Sequence, residues 1–328
     1  MSPVVHITAP SRLHFGLWSL GGVGARQFGG VGAMIEKPAL KLTVTEASDF
    51  STAGQCAVLA VDYARRWATF HQRQLPSCYL TIEQAIPQHA GLGSGTQLAL
   101  AVAAALNAFA GLPSQTPTEL ALSVGRGLRS AVGTYGFVFG GLIIEQGKLA
   151  DEPISPLDCR IDLPDDWRFV LIRPRGLAGL AGGDEADAFA ALAAVPPNVT
   201  EELIAETRDR LVPAAAAADF PVFARSLYHY GRLSGEIFAA RQGGPYNGPI
   251  IAALVDEIRS RGWQGVGQSS WGPTVFVIVP SDTDAAKLVA DLTRRHGARM
   301  ETTIAAPANQ GARVEVSGIP VVEQAISD

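Results

Sequence analysis

Cysteine is scarce in this chain: Cys56, Cys78 and Cys159 are odd in number and lack CxxC spacing. This pattern excludes a disulfide framework and a zinc knuckle, and reads instead as three buried thiols. Lysine occurs only at positions 37, 41, 148 and 287. With a net charge of −5, the chain has no broad basic face with which to displace counterions from nucleic acid. Long apolar runs are missing too. The strongest, residues 98–110, is Ala-rich, interrupted by Asn107 and well short of the ~20 residues that cross a bilayer. The first residues, Met1-Ser2-Pro3-Val4-Val5-His6, have neither the basic start nor the apolar stretch of a secretory signal. A cytoplasmic protein without membrane or nucleic-acid partners is expected. No repeat of fixed period occurs, and the run Ala214 to Ala218 is the one conspicuous low-complexity patch.

What is present suits a folded protein of two domains. The 328 residues exceed the ~250–300 at which a single core usually divides. Hydrophobic residues make up 47% and charged ones 17%, a globular rather than a disordered composition. Alternation predicts strands over 4–9 and 40–45, with a glycine-rich loop over 16–32 between them. A helix over 57–72, a strand over 77–83 and an Ala-rich helix over 96–110 follow. A further helix starts near Thr118 and ends before Gly133, and residues 137–145 read as strand. The polar, proline-bearing passage 151–166 precedes an apolar strand over 169–172, which sets a domain boundary between 165 and 166. Beyond it the pattern gives helices over 201–211, 221–241, 249–261 and 284–296, with strands over 274–279, 300–305 and 312–316.

The chemistry-bearing signal is Pro87-Gln88-His89-Ala90-Gly91-Leu92-Gly93-Ser94-Gly95-Thr96. Glycines let backbone N–H groups approach an anion, and the helix that follows contributes its positive end. Phosphate binding is the natural use, although capping alone would also explain Ser94 and Thr96. A second loop, Gly265-Val266-Gly267-Gln268-Ser269-Ser270-Trp271-Gly272-Pro273-Thr274, offers polar side chains and a ring in one tight turn. Between the two loops, residues 129–141 contain no acid.

The first loop resembles the PxxxGLGSS motif of the GHMP kinase superfamily, and the second resembles that superfamily's third motif. The stretch 129–141 is similar to the one where such kinases carry a catalytic Asp, so the resemblance implies the scaffold without hydroxyl phosphorylation. Three passages sharpen it: Pro10-Ser11-Arg12-Leu13-His14-Phe15-Gly16-Leu17, Gly179-Leu180-Ala181-Gly182-Gly183-Asp184-Glu185 and Gln268 to Pro273. With the glycine loop they look like the β-ribofuranosylaminobenzene 5′-phosphate synthase (β-RFAP synthase) family. The resemblance implies an α+β, two-domain GHMP-kinase-like fold, with an N-terminal mixed sheet and helix domain over 1–165 and a C-terminal ferredoxin-like domain over 166–328. It also implies a pentosyltransferase that condenses phosphoribosyl pyrophosphate with 4-aminobenzoate or 4-hydroxybenzoate, losing carbon dioxide and pyrophosphate, on the way to tetrahydromethanopterin.

Under that implication His14, Arg26 and His89 are the expected catalytic residues. Gly91, Leu92, Gly93, Ser94, Gly95, Thr96, Arg173 and Arg175 are expected to hold the phosphorylated donor, and Arg12, Gln268, Ser269, Ser270 and Trp271 the acceptor. Asp184 and Glu185 are candidate ligands for Mg²⁺, and no organic cofactor is expected; a homodimer is the implied assembly. Each arginine reads equally as a surface charge, and Trp271 as core. Two other readings stay open: an ATP-dependent small-molecule kinase, with Glu145 or Asp184 replacing the missing acid, and a non-catalytic phosphometabolite-binding protein.

Overall fold

The computed structural model describes residues 3–21, 25–177 and 192–318. Its first half is built on two long strands, β1 (Val4–Ser19) and β2 (Phe28–Glu46). The stretch expected as a glycine-rich loop is therefore mostly strand. Glycines 16, 29 and 30 serve close packing instead: a Cβ on Gly16 would meet the Ser234 side chain, one on Gly29 the Trp18 ring, and one on Gly30 would lie 2.3 Å from the Gly16 carbonyl oxygen. After β3 (Ser51–Gly54), α1 (Ala57–Phe70) and β4 (Cys78–Gln84), the chain enters α2 (Ser94–Phe109). The sheet runs β11-β1-β2-β4-β3, with β5 (Leu142–Glu145) on β2 and β6 (Leu157–Ile161) on β5. It is mixed, because β3 and β4 pair in parallel while the other pairs are antiparallel.

Helix α1 buries Ala60, Tyr63, Ala64 and Trp67, the one-sided spacing of an amphipathic helix. Helix α2 is buried nearly all round, from Gln97 to Asn107. The polar Asn107 is satisfied there, accepting from Trp67 Nε1 at 2.7 Å and donating to Gln115 at 2.7 Å. Helix α3 (Pro117–Ser123) begins with a capping box between Thr116 and Glu119, but it ends well short of Gly133. Residues 132–139, expected at their end as strand, form α4 (Val132–Phe139), and the strand resumes only at β5. Two glycines explain this: a Cβ on Gly136 would lie 2.2 Å from Met34 Sδ, and one on Gly133 3.2 Å from Thr96 Cγ2. Close packing against β2 and α2 overrides the strand propensity of the aromatic and β-branched residues.

The second sheet has the order β10-β7-β9-β8, every pair antiparallel. In chain order β7 (Arg168–Pro174) is followed by helices, then β8 (Gly265–Gln268), β9 (Val275–Val279), a helix and β10 (Met300–Ala305). This is the ferredoxin-like βαββαβ arrangement. Among the helices are α5 (Pro197–Glu206), α6 (Phe220–Glu236), α7 (Gly248–Ser260) and α8 (Asp282–His296). Strand alternation divides the apolar residues of this sheet between two layers. Val170, Ile172, Val275, Val277 and Val279 pack with α7 and α8, through residues such as Leu254 and Leu288. Phe169, Leu171, Phe276 and Ile278 join the core of the first sheet. Phe15 of β1 meets Phe276 at 5.2 Å between ring centroids, so one core runs through both halves. The chain then returns to the first sheet, where β11 (Arg313–Ser317) pairs with β1. Cys78 is buried, which pushes its thiol up to about 11, while Cys56 and Cys159 are only half-buried.

Candidate active site

The two glycine loops meet backbone to backbone. Gly91 and Gly93 have positive φ, 79° and 75°, a conformation that favours glycine. A Cβ on Gly91 would lie 2.2 Å from the Ser269 carbonyl oxygen, and one on Gly272 would lie 2.4 Å from that of Ala90. The Ser269 hydroxyl donates to the Gly91 carbonyl at 2.7 Å, and that of Thr274 donates to Ala90 at 2.6 Å. Beneath them, β1 is tied in: Arg12 N–H donates to Leu92, and Ser270 N–H to His14. Ser269 Oγ also accepts from His14 N–H at 3.0 Å.

Above this junction lies a cavity of about 540 Å³ that extends from the start of α2 to α6. Arg12, Arg126 and Arg129 line it together with His14 and His89, and among the described lining residues there is no carboxylate. Arg12 Nη1 donates to the Gly91 carbonyl at 3.3 Å. The Arg126 guanidinium lies over the Tyr63 ring, 5.0 Å from its centroid, and donates to the Tyr63 hydroxyl. Gly125 and Gly127, both at positive φ, shape the turn that delivers Arg126 and Arg129 to the cavity rim. The opposite wall is aromatic, with Phe238 edge-on to Trp271 at 5.1 Å.

A chain of hydrogen bonds leads from this cavity into the core. His14 Nε2 is 3.0 Å from Ser130 Oγ, which donates to Glu145 Oε1 at 2.6 Å. The other carboxylate oxygen accepts from Ala131 N–H at 2.6 Å, at the N-terminus of α4. Burial raises the Glu145 acid from 4.5 to about 7, against the opposing pull of the bonds from Ser130 and Ala131 and of the Arg12 charge. Burial also holds His14 well below 6.5, and Arg12 pushes it the same way. A β-bulge between His14 and Gly16 on β1 sets the strand's course at this point, as bulges beside active sites do.

The sequence is 30% identical over 293 residues to the β-ribofuranosylphenol 5′-phosphate synthase of Methanothermobacter thermautotrophicus, covering 83% of this chain and 88% of that protein. The chain belongs to this family. The Archaeoglobus fulgidus protein of the same name is 28% identical over 335 residues, with 95% and 100% covered. Residues 56–141 match the family described as GHMP kinases N terminal domain, and residues 211–299 match GHMP kinases C terminal. Homoserine kinase from Cytophaga hutchinsonii shares the fold at a TM-score of 0.67, with 15% identity and 95% and 97% of the two chains covered. Mevalonate pyrophosphate decarboxylase from Streptococcus pyogenes also superposes at 0.67, with 12% identity and 94% and 98% covered. The synthase family is of the pentosyltransferase kind, on a GHMP scaffold.

Seen against the residues expected for a synthase, the cavity gathers His14, Arg12, Gly91 to Thr96, Gln268, Ser270 and Trp271, and His89 stands exposed at its rim. Ser269 is fully buried and acts as the brace between loops. Arg26 lies apart from the cavity. Its guanidinium is held bidentate by Glu152, at 2.7 and 2.9 Å, and by the Gly147 carbonyl, so it fastens the β1–β2 connection to the turn after β5. Arg173 and Arg175 also fall outside, in a neighbouring cleft of about 330 Å³ behind His89. Both pair with Glu301, Arg173 through Nε at 3.0 Å and Arg175 at 3.4 Å. Asp184 and Glu185 lie outside the described residues.

Sequence reasoning did not single out Tyr63, Arg126, Arg129 or Ser130, and it weighed Glu145 only as a substitute kinase acid. The legible signal was the Arg-x-x-Arg of 126–129 in a run with glycines at 125 and 127, directly before the stretch that lacks the kinase Asp. As for Mg²⁺, no group of three His, Cys, Asp or Glu side chains that could hold a metal occurs among the described residues. The cavity's oxygen donors near the glycine loop are the Ser94 and Thr96 hydroxyls. The described residues therefore do not form a resident Mg²⁺ site. No helix among them is long and apolar enough to cross a membrane.

Proposed function

We propose that the cavity binds phosphoribosyl pyrophosphate together with 4-hydroxybenzoate or 4-aminobenzoate, and joins the ribose C1 to the ring carbon that bears the carboxylate. Carbon dioxide and pyrophosphate leave. The observation that carries this reading is the cavity lining: three arginines and two histidines around a glycine loop at a helix N-terminus, with no carboxylate among the described residues. Such a surface suits a donor with a phosphate at one end and a diphosphate at the other, because Arg forks and loop N–H groups bind both. The same lining weighs against hydroxyl phosphorylation, which needs an acid at the accepting oxygen. The relatives' name specifies a phenol product, which favours the hydroxy acid over the amino acid as acceptor.

The chemistry asks little of a strong base. As the diphosphate departs, an oxocarbenium-like C1 forms, and the ring attacks it with electron density pushed from the para substituent. Loss of the carboxylate as carbon dioxide returns the bonding pair to the ring. The chain's own task is to neutralise the leaving diphosphate with Arg12, Arg126 and the Gly91 to Gly95 amides, and to orient the ring against Trp271 and Phe238. Mg²⁺ is proposed to arrive on the diphosphate, where it would add to the charge neutralisation. Incubation of the protein with the donor, Mg²⁺ and carboxyl-labelled acid tests the reading. Labelled carbon dioxide and pyrophosphate are expected in equal amounts with ATP omitted. Label that stays in solution while pyrophosphate accumulates would mean O- or N-ribosylation, and label that stays while ADP forms in an ATP-supplied tube would mean a kinase.

A further inference from the structure

The condensation above makes no use of Glu145, a fully buried acid that ends the hydrogen-bond chain from the cavity. The direction of that chain can be read from its donors. Once ionised, as it is above about pH 7, the carboxylate only accepts, so Ser130 Oγ gives its proton to Glu145, as the backbone of Ala131 gives its own. With its proton spent, Ser130 accepts from His14 at 3.0 Å. That fixes the imidazole as the Nε2–H tautomer and leaves Nδ1 with a lone pair. Nδ1 has no hydrogen-bond partner among the described residues. The His14 backbone is pinned on both sides by Ser269 and Ser270, so the ring is held while the nitrogen stays available. This arrangement of base, bridging group and orienting acid follows the general logic of an activated triad.

Resting on the reading that the acceptor is a para-substituted benzoate, we propose that His14 takes the para-hydroxyl proton of a phenolic acceptor, with Ser130 and Glu145 as positioning residues that carry it inward. The phenolic O–H bond breaks as an N–H bond forms at Nδ1. The Nε2 proton passes to Ser130 Oγ, and the Ser130 proton passes to Glu145, which becomes a neutral acid. The phenolate pair then drives attack on C1. When carbon dioxide leaves, the C–C bonding pair restores the ring, and the oxygen recovers its proton by the same route reversed. No proton is consumed over the cycle, and His14 stays neutral throughout, in keeping with its burial beside Arg12. The charged and titratable groups that face Glu145 are Arg12 and His14 from β1, Tyr135 from α4 and Tyr230 from α6.

Glu145→Gln tests this. A glutamine whose carbonyl keeps the Ala131 N–H presents its amide N–H to Ser130, which reverses every bond in the chain and leaves Nδ1 protonated. With 4-hydroxybenzoate, kcat/KM is expected to fall by about 10²-fold or more, the scale of general acid–base catalysis. With 4-aminobenzoate, whose amine pushes without losing a proton, it should change by no more than about threefold. The acceptor 3,5-difluoro-4-hydroxybenzoate, which ionises unaided near neutral pH, should restore the variant toward the wild type. Equal losses on all three acids in a variant with normal melting behaviour would overturn the relay while leaving the condensation intact. Wild-type protein that releases carbon dioxide from none of the acids would overturn the function itself. Ser130→Ala, which cuts the chain without burying a new group, must show the same dependence on acceptor, and decides the matter if Glu145→Gln does not fold.

Discussion

Two sets of arginines flank one glycine loop and differ in what faces them. On the cavity side Arg12, Arg126 and Arg129 line a space with no carboxylate among the described residues. On the other side Arg173 and Arg175 share Glu301. In the sequence all five look alike. The acid that Arg173 and Arg175 meet comes from a strand more than a hundred residues further along, so no stretch of sequence around either arginine shows it. An arginine held by a carboxylate has its fork already filled, and a phosphate would have to displace that acid.

The largest effect expected from this contrast is in donor affinity. Arg12→Ala combined with Arg126→Ala should weaken binding of phosphoribosyl pyrophosphate by at least about a hundredfold in calorimetric titration, since a hydrogen bond to a charged group is worth ~1.5–3 kcal/mol. Arg173→Ala should leave it within about twofold, because Arg173 lies outside the cavity, half-buried and paired with Glu301. Comparable losses from the two sets would put the donor in the cleft and break the comparison.

Next in size is a pH effect that contrasts the two acids. Glu145 is raised from 4.5 to about 7 by burial. The folded state therefore binds that proton more tightly than the unfolded chain, and stability declines as pH rises from 4.5 through about 7. The rise corresponds to at most about 3 kcal/mol. Glu145→Gln should remove the decline, so that the variant's melting temperature gains on the wild type between pH 5 and pH 8. His14, lowered by burial, acts oppositely, losing stability as pH falls below 6.5, but it is common to both proteins and cancels. Glu301 is lowered by Arg173, so its contribution is present above 4.5 and lost as pH falls. Being only half-buried, it should leave a slighter mark, and a Glu301→Gln effect as large as that of Glu145→Gln would contradict the burial argument.

The smallest expected change comes from making the cavity resemble the cleft. Leu128 is 60% exposed at the cavity rim, between the two arginines of its loop. Leu128→Glu would add an acid beside these guanidinium groups and should weaken the donor by about tenfold, at ~1–2 kcal/mol for a competing half-exposed pair. A donor affinity that does not change in Leu128→Glu would show that the lining charge matters less than the loop amides.

How much of this was legible follows from what each feature depends on. The glycine loop announced itself because a phosphate cradle needs its glycines within a few residues of one another, followed by a helix. The ferredoxin-like half was legible in outline, through helices with one apolar face and short β-branched strands. Helix α4 was not, because Val132 to Phe139 has strand propensity, and only the close approach of Gly136 to Met34 and of Gly133 to Thr96 makes a helix fit. The β8 strand was hidden for the opposite reason: Gly265 and Gly267 read as a turn, yet a Cβ on Gly267 would lie 2.6 Å from the Phe276 ring, and the strand needs that space. The pairing of Ser130 with Glu145 spans a whole helix, and that of Arg173 with Glu301 spans the second half of the chain. No local pattern encodes either.

The contact of Gly91 with Ser269, and of Gly272 with Ala90, has a bearing on how such proteins can be recombined. Each loop occupies volume that the other leaves vacant, so the two form a matched lock although about 180 residues separate them. A chimera that takes its first half from one synthase and its second from another will keep the cavity only if both glycines come with it. The parts of this enzyme that can be exchanged are therefore not the two sheets, but whatever lies outside that lock.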